Sequence, residues 1–183
     1  ASILPAQQSM YSYHSQLTST HPFESKLYTW PLLLRPVWYY MGSRLPDGIV
    51  ASIAVLGNPV VFWGGALAVV VQLLQTLRGK AKPAVWFVLA LWGAQYLPWV
   101  LITRATFLYH YFAAMPFALL ALGLLLGSLA EHHPRAAKVT TGILIGVAAV
   151  LLVFFFPVLS GLPIPAAYAA ALKWLPGWGF YIV

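Results

Sequence analysis

Four long apolar stretches dominate the sequence, at residues 59–77, 84–102, 105–129 and 139–159. A helix that crosses the roughly 30 Å hydrocarbon core of a bilayer needs about 20 apolar residues, and each stretch has that length. Only 7% of the chain is charged, whereas a soluble domain is about a quarter charged. The sequence therefore predicts an all-α integral membrane protein with four transmembrane helices.

Residues 1–48 precede these stretches and are polar and aromatic. They end in an apolar run, residues 27–41, which Pro31, Arg35 and Pro36 interrupt. Two prolines and an arginine make this run a poor membrane span. We expect an extracytoplasmic interfacial or re-entrant segment that lies against the helices.

The chain divides into three parts: residues 1–48, a four-helix region at 49–162, and a tail at 163–183. The tail carries residues typical of head-group depth in a bilayer: Tyr168, Lys173, Trp174, Trp178 and Tyr181. It is expected to lie along the membrane surface. The chain begins without Met or a signal peptide, and we interpret it as a piece of a longer protein.

The basic residues are scattered between the apolar stretches rather than clustered on one soluble face, although the net charge is +7. This distribution favours membrane lipid or a phosphate-bearing ligand over nucleic acid. Five basic residues fall on each side of the membrane, and one set lies in short loops tight against helix ends: Arg78, Lys80, Lys82, Arg135 and Lys138. The positive-inside rule places these loops in the cytoplasm, so residues 1–48 and the tail face outward.

Two glycine pairs have the spacing that lets helices approach closely, Gly123 with Gly127 and Gly142 with Gly146. They predict contact between the third and fourth helices. The residues around Arg104 have two open interpretations. Arg104 and His110 could belong to a functional site, because an ionisable group at membrane depth is costly. They could equally be a snorkelling arginine and a histidine bonded between helices.

No spacing of His, Asp or Glu resembles a metal site, and no nucleophile motif or phosphate-binding glycine loop is present. We therefore predict no metal, no cofactor and no catalytic residue in this chain.

Several motifs resemble a known family. They comprise residues 10–15 (MYSYHS), 20–26 (THPFESK), 29–40 (TWPLLLRPVWYY), 56–60 (LGNPV) and 107–112 (FLYHYF). The chain resembles, over nearly its whole length, the C-terminal four-helix region of the protein O-mannosyltransferases, in a bacterial form. These enzymes use a polyprenyl (dolichyl-type) phosphate mannose donor.

The resemblance implies a GT-C type glycosyltransferase that moves mannose to a Ser or Thr hydroxyl of an acceptor protein, with inversion. It also implies that the catalytic acidic pair lies in the missing N-terminal membrane region of the same enzyme, which would be this segment's partner. The present segment would help to bind the donor, the lipid-linked sugar phosphate being a substrate rather than a cofactor.

The resemblance suggests a role for the outward basic residues. Arg35, Arg104, His110 and Lys26 are predicted to face the lipid phosphate, because a guanidinium fork matches phosphate geometry. A second group, His21, Ser25 and Trp30, is predicted to shape the outer segment as a lid or acceptor wall. Two other functions stay open: a non-catalytic membrane scaffold or partner subunit, and a transporter fragment, since the second helix carries Gln95 and Pro98.

Overall fold

The computed structural model describes residues 3–17 and 20–180. Within them, four helices are long and apolar enough to cross a membrane. They are α2 (Pro59–Leu77), α3 (Pro83–Tyr96, extended by a 3₁₀ turn, Leu97–Leu101), α4 (Met115–His132) and α5 (Pro134–Ser160). This agrees with the predicted membrane-spanning, mainly helical class.

Proline is the first residue of α2, α3 and α5 and the second residue of α4, because its fixed φ suits the first turn and its missing N–H would be unpaired there. Gly161 ends α5 in the left-handed conformation, with φ 78°, and its N–H donates to the carbonyl of Pro157. That position needs glycine because a side chain would be strained there. The prolines thus mark where the four spans begin, and Gly161 marks where α5 ends.

Helix α4 is the centre of the bundle and contacts α2, α3 and α5. Its contact with α2 is close: a Cβ added to Gly65 would lie 3.2 Å from the Cβ of Ala118. Gln72 of α2 strengthens the contact, since its Nε2 donates to the carbonyl of Ala121 at 2.7 Å. Much of the remaining helix surface is apolar and exposed, as expected for helices that face lipid.

The third span begins later than the predicted start near residue 105. Helix α4 starts at Met115, and the preceding residues form a loop and a 3₁₀ helix at Leu108–Ala113. The backbone of Thr106 bonds to Ser25 instead of continuing a helix, because the Ser25 N–H donates to the Thr106 carbonyl at 2.7 Å. The fourth span begins earlier than predicted, at Pro134, because α4 and α5 meet at His133.

The contact between α4 and α5 exists, but it does not depend on the paired glycines. A Cβ added to Gly123, Gly127, Gly142 or Gly146 would meet nothing within 4 Å. All four glycines lie on open faces, so α4 and α5 contact each other through other residues.

An aromatic layer covers the end of the bundle where α2 and α4 begin and where α3 and α5 end. It is formed by residues 20–57, 102–114 and 161–180. Strand β1 (Val37–Met41) pairs antiparallel with β3 (Ser52–Val55), and β2 (Ile49–Val50) pairs with β4 (Ile164–Pro165). Besides the 3₁₀ helix at Leu108–Ala113, the layer contains a 3₁₀ turn at Leu27–Thr29 and α6 (Ala166–Ala171). Helix α1 (Ile3–Ser15) has no buried residue.

The C-terminal tail is an integral part of this layer. Trp178 is fully buried, and its indole N–H donates to the carbonyl of Leu33. The Phe155 ring of α5 packs edge-on against Trp174 and Trp178. Trp174 remains about half exposed, so part of the tail has the exposed aromatic character predicted from sequence. Tyr181 lies outside the described residues.

Candidate functional site

A cavity of about 470 Å³ opens in the aromatic layer, between a wall made by Leu17 and residues 20–35 and the loop 103–106. Its lining is rich in hydroxyl and charged groups, including those of Lys26, Thr29, Arg35, Thr103 and Arg104. The cavity therefore combines polar side chains with a position at one end of an apolar bundle.

Ser25 and Thr106 join the two walls of the cavity. The Ser25 N–H donates to the Thr106 carbonyl at 2.7 Å, and the Thr106 hydroxyl donates back to the Ser25 carbonyl at 2.7 Å. Both residues are buried, and buried hydrogen bonds of this kind are costly to break. They hold the Arg104 loop against the segment that carries Lys26 and Arg35.

Trp30 is buried beneath the same wall of the cavity and supports it. Its ring is fully buried and its Nε1 donates to the Ser25 hydroxyl at 3.0 Å. The Tyr96 hydroxyl of α3 donates to the carbonyl of Leu27 at 2.8 Å. The short 3₁₀ turn next to the cavity is thus fixed to the membrane helices beneath it.

Arg35 is held in a defined position, because its guanidinium donates to the carbonyl of Pro22 at 2.6 Å. Glu24 is the cavity's only carboxylate, and three cations line the same space: Lys26, Arg35 and Arg104. None of the three forms an ion pair within 4 Å among residues 3–17 and 20–180. The excess positive charge suits an anionic ligand.

His110 lies behind the cavity rather than in its lining. Its ring packs against Trp30, with centroids 5.9 Å apart, and against Trp99 at 4.1 Å. Its Nδ1 lies 2.9 Å from the carbonyl of Phe107. Burial lowers the pKa of His110 from its ordinary value, and the charge of Arg104 lowers it further. His110 is therefore neutral at neutral pH and supports the loop.

Tyr109, next to His110, also has a shifted pKa. Burial raises the pKa of the Tyr109 hydroxyl, and neighbouring Tyr39 adds to the rise, while Arg104 opposes it. The phenol is therefore protonated at neutral pH and can donate a hydrogen bond.

A sequence model of a protein family, described as the C-terminal four-transmembrane-helix region of protein O-mannosyltransferase, matches residues 1–178. This chain belongs to that family.

Relatives of this mannosyltransferase region include the polyprenol-phosphate-mannose–protein mannosyltransferase of Mycolicibacterium smegmatis, which is 32% identical over 92% of this chain and 36% of its own length. A protein of the same name from Corynebacterium glutamicum is 26% identical over 93% of this chain and 35% of its own. The chain thus spans about a third of the length of these relatives.

The fold also resembles a solved structure, that of the Saccharomyces cerevisiae protein O-mannosyltransferase Pmt1-Pmt2 complex bound to the sugar donor. The TM-score is 0.78 at 22% identity, over 97% of this chain and 27% of the other. The likeness shows that the two proteins share a fold over nearly the whole of this chain.

The structure brings together three of the four residues predicted to face a lipid phosphate. Arg35, Arg104 and Lys26 line one cavity, whereas His110 lies outside it. Of the second predicted group, Ser25 reaches the cavity lining, while Trp30 supports it from below. His21 is exposed, packs edge-on against Phe107 at 5.1 Å and is not among the lining residues.

Sequence reasoning missed two threonines beside Arg104. Thr103 and Thr106 line the cavity, and Thr106 also bonds to Ser25. A signal for them exists in the sequence, because residues 103–106 are a polar interruption between apolar stretches. In the structure this polar interruption forms a wall of the cavity.

Proposed function

We propose that this chain is the C-terminal membrane region of an enzyme that transfers mannose from a polyprenyl (dolichyl-type) phosphate donor to Ser or Thr hydroxyls of an acceptor protein. Its cavity would bind the phosphate of the donor. The observation that carries this proposal is a cluster of three cations at the end of an apolar bundle, Lys26, Arg35 and Arg104, which form no ion pair among residues 3–17 and 20–180.

The chemistry of the transfer fits such a cluster. The acceptor oxygen forms a bond to the anomeric carbon of mannose, and the bond from that carbon to the phosphate oxygen breaks. The phosphate gains negative charge as it leaves, and cations already in position stabilise that charge in the transition state. Arginine suits this role because its planar group can donate two parallel hydrogen bonds to phosphate oxygens.

The position of the cavity also fits a lipid-linked donor. It lies where the membrane helices meet the aromatic layer, so a phosphate in the cavity could keep its polyprenyl chain beside the apolar helix surfaces. Tryptophan and tyrosine rings are typical of that depth in a bilayer. Water is partly excluded there, which strengthens the attraction between a guanidinium and a phosphate.

The proton of the acceptor hydroxyl must go to a base. Glu24 is the only carboxylate in the cavity, and its Oε2 lies 3.3 Å from the backbone N–H of His21, which donates to it. No second carboxylate lies beside it in this chain, whose other acidic residues are Asp47 and Glu131. We place the catalytic base in the region that this chain does not include, and assign this segment to donor binding.

We further propose that the aromatic layer faces the extracytoplasmic side, with residues 1–48 and the tail. The loops at the opposite end are short and basic, and they include Arg78, Lys80 and Lys82. Basic residues close to helix ends favour the cytoplasmic side.

The test is a pair of conservative changes, Arg35→Lys and Arg104→Lys, in the complete gene product. Lysine keeps the charge but loses the paired donors, so we expect mannosyl transfer to fall about tenfold or more, which corresponds to about 1.4 kcal/mol of transition-state stabilisation. Arg135→Lys, at the other end of the bundle, is the matched control. Wild-type donor KM and turnover in both cavity variants would refute the proposed site.

A further inference from the structure

A second cavity lies at the other end of the bundle, where the α2–α3 loop emerges. It has a volume of about 350 Å³ and is bordered by α2, α3 and α4. We call it the Gln72 groove; its walls include Gln72, Gln75, Val85, Gly123, Gly127 and Ser128. Lys82 and Glu131 stand at its rim, with the Lys82 Nζ 2.6 Å from a carboxylate oxygen of Glu131.

Gln72 is the unusual residue in this groove. It is 1% exposed, and its Nε2 donates to the carbonyl of Ala121 at 2.7 Å. Its Oε1 is buried and accepts no hydrogen bond within the described part of the chain. A buried acceptor without a partner costs free energy, all the more at membrane depth, where water does not supply a donor. The Oε1 of Gln72, a residue that borders the groove, therefore lacks a hydrogen-bond donor among residues 3–17 and 20–180.

Gly123 and Gly127 provide an independent observation. They are spaced one helical turn apart on α4, and a Cβ on either would meet nothing within 4 Å. Gly65 provides the contrast, because its contact with Ala118 uses the absent side chain to bring α2 against α4. The α4 pair has the spacing that allows close helix approach, but no other element in the described part of the chain lies within 4 Å of the added Cβ atoms.

We propose that the Gln72 groove is the docking site for a further transmembrane helix of the same enzyme, from the part outside residues 1–183. This helix would pack its backbone on Gly123 and Gly127 and donate a side-chain hydrogen bond, from Ser, Thr, Asn or Gln, to the Oε1 of Gln72. The relatives support this source of the helix, since this region is only 36% of the length of the M. smegmatis protein.

A lipid is a poorer fit to the same groove. Acyl chains carry no donor, and the ester carbonyls of a phospholipid are acceptors, like Gln72 Oε1 itself. Head-group donors remain at the membrane surface, near the Lys82–Glu131 pair, whereas Gln72 lies more than a turn inside α2. A helix brings a donor to the required depth because its own backbone groups are already paired.

The first experiment places a photo-crosslinking residue, p-benzoylphenylalanine, at Gln75 in the complete gene product, in membranes. The matched control carries it at Val150, on an exposed part of α5. We expect the Gln75 probe to give an adduct with a peptide of the same polypeptide outside residues 1–183, and the Val150 probe to react with lipid. Adducts of the Gln75 probe with lipid only, or with a second copy only, or no peptide adduct, would overturn the proposal.

The second experiment compares Gly127→Leu, which fills the groove, with Gly146→Leu, which adds the same side chain to an open face of α5. Thermal stability of the complete gene product is measured in detergent by fluorescence-detected size exclusion. We expect the melting temperature to fall by several degrees for Gly127→Leu and to be unchanged for Gly146→Leu. Equal melting temperatures for the two variants would contradict helix docking. Neither readout depends on mannosyl transfer, so the result is independent of the proposed donor site.

Discussion

At the scale of single residues, a few buried hydrogen bonds determine the shape of the cavity that we propose binds the donor phosphate, which we name the donor cavity. Ser25 contributes to three of them: its N–H and carbonyl bond to Thr106, and its hydroxyl accepts from the Trp30 indole at 3.0 Å. Only the last of these uses the side chain. The hydroxyl of Ser25 therefore couples a fully buried tryptophan to the wall of the cavity.

Ser25→Ala should destabilise the protein, because it leaves the buried Trp30 N–H without an acceptor. An unpaired buried donor costs about 1–3 kcal/mol, and we expect a loss of that size, with weaker donor binding. Ser15→Ala is the control, since the Ser15 hydroxyl donates to the carbonyl of Ser12 at an exposed position. Thermal melts of both variants in detergent test this, and equal stability would show that Trp30 does not depend on Ser25.

His110 should make stability depend on pH. Burial lowers its pKa in the folded protein below the ordinary value of 6.5, so the unfolded chain binds a proton more readily. The folded state therefore loses stability as pH falls below about 6.5 towards the lowered pKa. Arg104 adds repulsion to the protonated ring, whereas the Phe107 carbonyl partly offsets it. Nearby Tyr109 stays neutral throughout this range.

The measurement is the melting temperature from pH 8 to pH 5, for the wild type and for His110→Gln, which does not titrate. We expect the two profiles to run in parallel above pH 6.5 and to diverge below it, with the wild type losing more. A wild type that gains stability on acidification would reverse the sign of the shift and contradict burial as its main cause.

At the scale of elements, the C-terminal tail fixes the turn that carries Arg35. The backbone at Gly177 lies so close to this turn that an added Cβ would overlap the carbonyl oxygen of Leu34, at 2.1 Å. Both Leu34 and Arg35 line the donor cavity. The tail is therefore part of the site's support although none of its described residues lines the cavity.

Gly177→Ala should push the tail away from the turn. Overpacking of this kind typically costs about 1–3 kcal/mol, and we expect a loss in that range together with a higher KM for the donor. Gly142→Ala is the matched control, because a Cβ there meets nothing within 4 Å. Unchanged donor KM in a destabilised Gly177→Ala would confine the tail's role to folding.

The same elements show why some bounds could be predicted from sequence and others could not. The range 59–77 was predicted and is the range of α2, because Asn58 and Pro59 mark its start and a glycine follows its end. The start of α4 was not predicted, because residues 105–114 contain no proline, glycine or charged residue that would mark a break. The Thr106 carbonyl accepts a hydrogen bond from Ser25 instead of continuing a helix. Ser25 is distant in sequence, so the hydrophobicity pattern does not predict that bond.

The residues of the donor cavity also differ in whether the sequence could predict them. Arg35 and Arg104 could be selected from sequence, because charged residues next to apolar stretches are conspicuous. His110 was selected for the same reason, yet Trp30 and Trp99 enclose its ring. Whether a side chain faces a cavity or the packing behind it depends on the tertiary structure. The β-strands were not predicted either. β2 and β4 have only two residues each, which is too short to give a recognisable pattern.

At the scale of the whole molecule, the path of the chain separates two chemically different ends. The aromatic layer and the donor cavity occupy one end, and the Gln72 groove with the basic α2–α3 loop occupies the other. An even number of spans returns the tail to the end from which α2 starts. Lys80 and Lys173 must therefore lie on opposite sides of the membrane if all four helices cross it.

Single cysteines test this arrangement, because residues 1–183 contain no cysteine of their own. Lys173→Cys and Lys80→Cys are made in a complete gene product freed of other cysteines and treated with a membrane-impermeant maleimide on intact cells. With the aromatic layer outside, we expect labelling of Lys173→Cys in intact cells and of Lys80→Cys only after lysis, because an exposed lysine site in a cytoplasmic loop is shielded by the bilayer. The opposite pattern would invert the proposed orientation, and labelling of both sites in intact cells would show that the helices do not all span the membrane.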